Sequence, residues 1–207
     1  MSQLKLSDGR NFEYEDNGVT SDQAILFLHG TPSADKLWSQ WLPRVTGCLA
    51  IATSRAGYGK SDRHKGRTVA DDLADQQALL DHFHIEEFVS IGWSGGGPHA
   101  INMTRDPRNK GAITLAGVGE WGHADLDFIA DMGPENEEEF GEALKGEAAI
   151  AAWMSKNAPV YKNISGPEII EAFGGLIGDA DTAALTPDLA EEMARNFRHA
   201  VVDSFDG

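Results

Sequence analysis

The pentapeptide Gly92-Trp93-Ser94-Gly95-Gly96 constrains this chain more than any other segment. It follows the apolar run 88–91 and precedes a plausible helix start. A serine that attacks a carbonyl carbon has to project from a sharp strand-to-helix turn, and glycines two positions before and after it remove the side chains that would collide there. Backbone N–H groups at the helix start then face the negative charge that develops beside the serine. The segment therefore predicts that Ser94 is a nucleophile.

A second segment fits the same chemistry. The apolar run 24–28 leads into His29-Gly30-Thr31-Pro32. Acyl transfer needs two N–H donors held ready for the oxyanion, and a glycine-containing loop lets a backbone amide approach closely. We predict the N–H groups of Thr31 and Gly95 as these donors. Ligand contacts are predicted from the residues around the two loops: His29, Gly30, Trp93 and Trp121. The alternative is an ordinary strand-end turn with His29 in solvent.

The loop 54–62 follows the next strand pattern and ends in a possible phosphate-binding motif, Gly59-Lys60-Ser61. A P-loop needs a glycine five residues before Gly59, but Ser54 stands there, and a dinucleotide motif would need glycine where Asp62 stands. We therefore interpret this loop as a support for the neighbouring active site.

Short apolar runs alternate with helical patterns over residues 1–120, which indicates an α/β fold with a mostly parallel sheet covered by helices on both faces. The predicted strands are 4–6, 12–16, 24–28, 48–52, 88–91 and 112–116, with the first two forming an antiparallel ribbon. One predicted helix begins at Thr68 as its N-cap, and another follows Ser94 and ends near Thr104. Further helices are predicted at 126–132, 137–157, 166–176 and 186–204. Residues 1–120 are thus predicted to form the core and residues 121–207 an acidic helical lid.

Charge and composition restrict the function classes. The net charge of −16 argues against nucleic acid and anionic membranes as partners, because both bind basic surfaces. Residues 120–207 hold 19 of the 33 acidic and 5 of the 17 basic residues, which indicates solvated helix faces or a preference for neutral or cationic substrates. Cys48 is the only cysteine, and no apolar stretch approaches the length of a bilayer span. We expect a cytoplasmic protein that acts on a small molecule, with no metal and no organic cofactor.

The loop 29–32, the loop 55–62 and the segment 92–98 together resemble the α/β-hydrolase fold family in their order, spacing and strand context. The resemblance covers residues 1–119. It implies a serine hydrolase with Ser94 as nucleophile, Thr31 and Gly95 as oxyanion donors, and a carboxylic ester or, less favoured, an amide as substrate. Serine at this position disfavours the family's dehalogenases and epoxide hydrolases, which use aspartate.

Two more expectations come from the same resemblance. Prolyl aminopeptidases have glycine where Thr31 stands and a tryptophan after the serine, so prolyl specificity is not supported. Apolar residues of the lid are expected to pack together or to shape a pocket for a modest apolar group: Trp121, Phe128, Met132, Trp153, Met154 and Phe173.

The family's triad continues with an acid and a histidine on loops after strands that follow the lid. Strand patterns end near residue 116, so we expect the acid and the base to be absent from this chain. Glu120 and His123 are the local replacements worth testing. The alternatives are an inactive protein that binds a ligand or partner in the same cleft, and a separate chain that supplies the last strands. Without the last strands, the strand 112–116 becomes an exposed apolar edge, for which we expect self-association of residues 1–207 alone; if a separate chain supplies those strands, this edge is its docking site.

Overall fold

The computed structural model describes residues 2–130, 132–174 and 177–203. At its centre lies a six-stranded sheet in the order β1-β2-β4-β3-β5-β6. Its strands are β1 (Ser2–Lys5), β2 (Asn11–Asp16), β3 (Gln23–Leu28), β4 (Leu49–Thr53), β5 (Glu87–Trp93) and β6 (Asn109–Leu115). Strands β4, β3, β5 and β6 are parallel, whereas β1 and β2 form an antiparallel ribbon that joins β4. The predicted mostly parallel sheet and all six of its strands are confirmed.

Alternate side chains of the central strands divide the core into two layers, as the two-residue period of a strand requires. On one face, Leu26 and Leu28 pack with α1 (Asp72–His82) and α2 (Gly96–Asn102). On the other face, Phe27 packs with Trp38 and Leu42, which lie on two short 3-10 helices, Asp35–Trp38 and Leu42–Arg44. The sheet is therefore covered by α-helices on one side and by 3-10 helices on the other.

Helix α1 begins four residues later than predicted. Thr68 is not its N-cap, because the N–H and the Oγ1 of Thr68 both donate to Oδ2 of Asp71 at 2.7 Å and close a turn before the helix starts. An aspartate that competes for nearby backbone donors favours such turns over helix. The helix predicted after Ser94 is confirmed as α2, and the predicted end at Thr104 lies in a following 3-10 turn, Met103–Arg105.

The C-terminal part of the described chain is helical, as predicted, but with different boundaries. Gly146 has φ of 111° and separates two helices where a single helix over 137–157 was predicted. The helix predicted at 126–132 is wrong, since residues 126–130 form turns and Asp131 lies outside the described residues. The helix at 179–184 was not predicted, and the predicted ends at 176 and 204 fall outside the described residues. The helices are α3 (Pro134–Lys145), α4 (Glu147–Asn163), α5 (Gly166–Phe173), α6 (Asp179–Ala184) and α7 (Pro187–Ala200).

Helix α7 packs against the N-terminal half of the chain. The Oδ1 atom of Asn196 accepts from the N–H of Ala34 at 3.0 Å, and its Nδ2 donates to Oγ of Ser33 at 2.9 Å. The N–H of Gly59 donates to the carbonyl of Ala200 at 3.0 Å. These bonds connect the last long helix to the loops that follow β3 and β4. The division into a core of residues 1–120 and a lid of residues 121–207 stays a prediction.

Across the part of the chain that the structure describes, the helices are too short or too polar to cross a bilayer.

Strand β6 is the last strand on its side of the described sheet. It pairs with β5 alone, and the side chains of Ile113 and Leu115 are 51% and 44% exposed. An edge strand presents backbone N–H and C=O groups that a second chain can bond, and apolar side chains on the same strand favour that contact. The strand has the properties of an association surface.

We predict that the chain self-associates through β6 and that Ile113→Lys weakens this association, because a charge on an edge strand opposes pairing. Sedimentation velocity at increasing concentration measures it. Val160→Lys is the control, because Val160 is 59% exposed but lies on α4, outside the sheet. A wild-type monomer at every concentration, or an equal response of both variants, would contradict the prediction.

Candidate functional site

Ser94 occupies the turn between β5 and α2. Its φ of 52° lies in the left-handed region, which residues with a Cβ atom rarely adopt. The backbone is held on both sides, since the N–H of Ser94 donates to the carbonyl of Leu115 at 2.9 Å and its own carbonyl accepts from the N–H of Gly97 at 2.9 Å. Backbone strain of this kind persists where the surroundings enforce it and concentrates at functional sites. The turn has the conformation of a nucleophile elbow.

The glycines at 92 and 96 are required for steric reasons. A Cβ atom on Gly92 would lie 2.1 Å from the carbonyl oxygen of Gly96. A Cβ atom on Gly96 would lie 2.5 Å from the carbonyl oxygen of Leu28. Both obstacles are backbone atoms, which cannot rotate away as a side chain can. The spacing of the pentapeptide thus reflects how closely β3, the elbow and α2 approach one another.

We predict that Gly96→Ala lowers the free energy of unfolding by about 1–3 kcal/mol, the usual cost of forcing extra volume into a packed site. Urea-induced unfolding measures it. The matched control is Gly141→Ala on α3, where an added Cβ meets no atom within 4 Å and alanine should stabilise the helix by about 0.5–1 kcal/mol. Equal stability of the two variants would count against the steric argument.

The two predicted oxyanion donors are neighbours. A Cβ atom placed on Gly95 would lie 3.5 Å from the backbone nitrogen of Thr31 and 2.8 Å from its Oγ1. Within the described residues, no loop or turn hydrogen bond uses the N–H of Thr31 or of Gly95. Two unoccupied N–H groups beside an elbow serine provide what an oxyanion hole needs.

Arg55 fixes the loop that carries Thr31. Its guanidinium donates to the carbonyl oxygens of His29 and Gly30, the latter at 2.7 Å, and to Oγ1 of Thr31 at 3.1 Å. The side chain is buried, and its hydrogen-bond acceptors in the described part of the chain are these neutral oxygens. Burial lowers the pKa of Arg55 to about 10, and the charges of Tyr58 and Asp72 oppose that shift. Three consecutive residues of the loop are therefore held by one planar cation.

His29 lies inside the protein and not at the site surface. Its Nδ1 faces the carbonyl oxygen of Gly30 at 2.7 Å and must donate, and its Nε2 faces the N–H of Arg55 at 2.9 Å and must accept. Burial, with the charge of Arg55, holds the pKa of His29 well below its usual value, so the ring is neutral. The predicted ligand contact of this side chain is wrong, and so is the solvated alternative, because both ring nitrogens are used to shape the loop.

The other predicted binding residues divide into two groups. A Cβ atom on Gly30 would lie 2.9 Å from the ring of Trp93 and 3.1 Å from Cβ of Ser94, so glycine lets the loop touch the elbow. Trp93 lines the neighbouring cavity. Trp121 is 55% exposed, packs edge-to-face on Phe128, and is not part of the cavity wall. The structure thus brings Gly30 and Trp93 together at the elbow and leaves Trp121 outside.

A cavity of about 450 Å³ lies beside the elbow, between the sheet and helices α5 to α7. Its wall on the sheet side contains Trp38, Trp41 and Trp93, and the helices contribute mainly apolar side chains, Phe173, Leu185, Leu189 and Met193. Asp181 and Glu192 are its two acidic lining residues. Of the six apolar residues predicted to shape a pocket, Phe173 lines the cavity, while Trp153 is buried among the helices.

None of the histidines in the described residues hydrogen-bonds the hydroxyl of Ser94. The Nδ1 of His99 pairs instead with Oδ2 of Asp72 at 2.8 Å, in a buried contact. Burial and the charge of Arg55 lower the pKa of His99. Burial alone would raise the pKa of the Asp72 carboxyl, but the hydrogen bond with His99 outweighs that effect, and the pKa of Asp72 is lowered. His123 and Glu120, the predicted local replacements, are exposed, and His123 accepts from the N–H of Asp125 at 3.2 Å.

Glu139 of α3 is a titratable residue that the sequence did not single out. Burial raises the pKa of its carboxyl to about 7, and the neighbouring charge of Glu135 adds to the shift. Its charge also acts on Tyr58, which shares a side-chain hydrogen bond with Thr31. In the sequence Glu139 is one of three consecutive glutamates, and nothing there distinguishes the one that folding partly buries.

We predict that Glu139→Gln stabilises the protein at alkaline pH and not at acidic pH. Because the folded pKa of about 7 exceeds the ordinary 4.5, the folded state holds the proton more tightly, and stability falls as pH rises through this interval. Between about pH 5 and about pH 8, the melting temperature should therefore fall less for the variant than for the wild type. Glu138→Gln, at an exposed neighbour, is the control. The same pH dependence of the melting temperature in Glu139→Gln and Glu138→Gln would show that the raised pKa does not belong to Glu139.

The sequence model of the alpha/beta hydrolase fold matches residues 23–143, which include the loop after β3 and the elbow. The chain belongs to the alpha/beta hydrolase fold family. The predicted resemblance is thereby confirmed.

Individual relatives agree with this assignment. The chain is 31% identical over 118 residues to an uncharacterised hydrolase, YcgS, of Bacillus subtilis, a match that covers 55% of this chain and 41% of that protein. It is 23% identical over 172 residues to a proline iminopeptidase of Arabidopsis thaliana, covering 74% and 44% of the two chains. The fold is similar to that of a thermophilic esterase from Thermogutta terrifontis, with a TM-score of 0.57, 17% identity, and coverage of 100% and 72%. The chain thus spans less than half the length of these two sequence relatives.

Proposed function

We propose that this chain carries the nucleophile and oxyanion hole of a serine hydrolase that cleaves a carboxylic ester or, less favoured, an amide. The observation that carries the proposal is the left-handed Ser94 beside the unoccupied N–H groups of Thr31 and Gly95. This arrangement is complementary to the tetrahedral intermediate of acyl transfer, in which negative charge develops on one oxygen.

In the proposed reaction, Oγ of Ser94 attacks the ester carbonyl carbon and loses its proton to a base. The carbonyl oxygen becomes an oxyanion that accepts hydrogen bonds from Thr31 and Gly95. Collapse of the intermediate expels the alcohol, which takes up the proton, and leaves an acyl group on Ser94. Water then releases the acid by the same route. We propose that the base and its orienting acid come from outside the described residues, because an unactivated serine is a weak nucleophile.

The cavity beside Trp93 supports an apolar substrate of small or medium size. Its walls are mostly aromatic and aliphatic, and a pocket of this kind gains affinity from the apolar area it removes from water. Asp181 on the cavity wall disfavours anionic groups, whereas Glu192 is paired with Arg195, so we propose neutral or cationic esters as substrates. The free thiol of Cys48 fits a reducing cytoplasm.

A second candidate is a catalytically inactive protein that binds a small molecule in the same cleft. The absence of a hydrogen bond from Ser94 to a histidine within the described residues favours it. In that case the cavity and the elbow persist without acyl transfer.

We predict that a fluorophosphonate probe modifies Ser94 in the protein expressed from its complete reading frame. Peptide mass mapping should locate the adduct on Ser94, and hydrolysis of p-nitrophenyl butyrate should fall by at least about a thousandfold in Ser94→Ala, the order of loss seen for a removed nucleophile. Ser155→Ala, at an exposed serine of α4, should change neither result. A folded protein that neither takes up the probe nor hydrolyses the ester would exclude the hydrolase and leave the binding protein.

A further inference from the structure

Three metal-ligating side chains meet where α7 packs on the sheet. Glu13 lies on β2, Asp35 begins the first 3-10 helix, and His199 lies in the last turn of α7. One donor atom from each lies within 4.8 Å of the other two. Both carboxylates are completely buried, and the His199 side chain is 13% exposed, which leaves one side of the cluster open to solvent.

The distances suit one small cation. The Nε2 atom of His199 is 3.1 Å from Oε1 of Glu13 and 3.5 Å from Oδ1 of Asp35. When nitrogen and oxygen ligands bind Zn²⁺ at their usual 2.0–2.2 Å, tetrahedral geometry separates neighbouring ligands by about 3.3–3.5 Å. The two distances from His199 are close to this separation, and all three donor atoms lie within 4.8 Å of one another.

The oxygens that point to this position are those the protein otherwise leaves unused. Oε2 of Glu13 is saturated by Oγ of Ser54 at 3.0 Å, the N–H of Lys60 at 2.8 Å and His199. Among the described residues, Oε1 of Glu13 has His199 as its single hydrogen-bond partner. Oδ1 of Asp35 is buried and accepts no hydrogen bond from that part of the chain. A buried carboxylate oxygen without a donor is costly, and a cation supplies what it lacks.

The charges lead to the same conclusion. Lys36 donates to Oε2 of Glu15 at 2.8 Å and to Oδ2 of Asp35 at 3.0 Å, so its single charge is divided between two carboxylates. When ionised, the four groups Glu13, Glu15, Asp35 and Lys36 carry two uncompensated negative charges in a largely buried place. A divalent ion neutralises both.

We propose that Glu13, Asp35 and His199 bind a divalent transition-metal ion, for which one imidazole and two carboxylates make Zn²⁺ the best match. This revises the expectation of a protein without a metal. The ion joins residues from opposite ends of the chain, and a water molecule on the open side completes its coordination. Its role is structural, because it ties α7 to β2, and it is independent of the proposed ester hydrolysis.

Cobalt(II) and zinc(II) titrations of the purified, chelator-treated chain test the proposal. Co²⁺ should give the visible absorption bands of a tetrahedral ion at one equivalent, and Zn²⁺ should displace it and raise the melting temperature. His199→Gln and Asp35→Asn, which keep the shape of the side chains, should each weaken Zn²⁺ binding at least about tenfold. His123→Gln, at an exposed histidine outside the cluster, should bind as the wild type does.

Absence of the Co²⁺ bands, or binding that Asp35→Asn and His199→Gln leave unchanged, would overturn the proposal. Circular dichroism establishes whether each variant is folded before its affinity is compared. If Asp35→Asn does not fold, Glu13→Gln takes its place. Unchanged Zn²⁺ affinity in both Glu13→Gln and His199→Gln would then overturn the proposal.

Discussion

The candidate site depends on the buried guanidinium of Arg55. It holds the carbonyls of His29 and Gly30 and the hydroxyl of Thr31, and these three contacts position the loop whose Thr31 lies beside Gly95. A cation this deeply buried is tolerated because several oxygen atoms surround it. Lysine cannot replace it, since an ammonium group is a point charge without the planar fork that reaches three acceptors. An aliphatic residue would leave two buried carbonyls unpaired.

The elbow depends on a different constraint, which is the distance between backbones. Parallel strands β3 and β5 end side by side, so the loop after one and the turn after the other meet at the same edge of the sheet. Gly92 and Gly96 allow this close approach, because a Cβ atom at either position would overlap a backbone carbonyl oxygen. The backbone of the serine between them is held in the left-handed region, with both its N–H and its carbonyl hydrogen-bonded.

Features that depend on short-range patterns were predictable from the sequence, whereas features that depend on burial were not. The six strands and the elbow belong to the first kind, because apolar alternation and glycine spacing are local properties. The buried ring of His29 belongs to the second, since a histidine in a turn looks the same in the sequence whether it is solvated or enclosed. The break at Gly146 and the raised pKa of Glu139 also depend on the folded surroundings. The cluster of Glu13, Asp35 and His199 joins residues up to 186 positions apart, beyond the reach of any local pattern.

Asn196 connects helix α7 to the loop that follows β3. Its amide bonds Ser33 and Ala34, which follow Thr31 in the same loop, while neighbouring Met193 on the same helix lines the cavity. Helix α7 therefore lines the cavity and holds the loop that follows β3 at once. A displacement of this helix would change the cavity wall and remove the Asn196 hydrogen bonds from the loop in a single event. The shape of the cavity wall and the position of that loop are thus coupled through one helix.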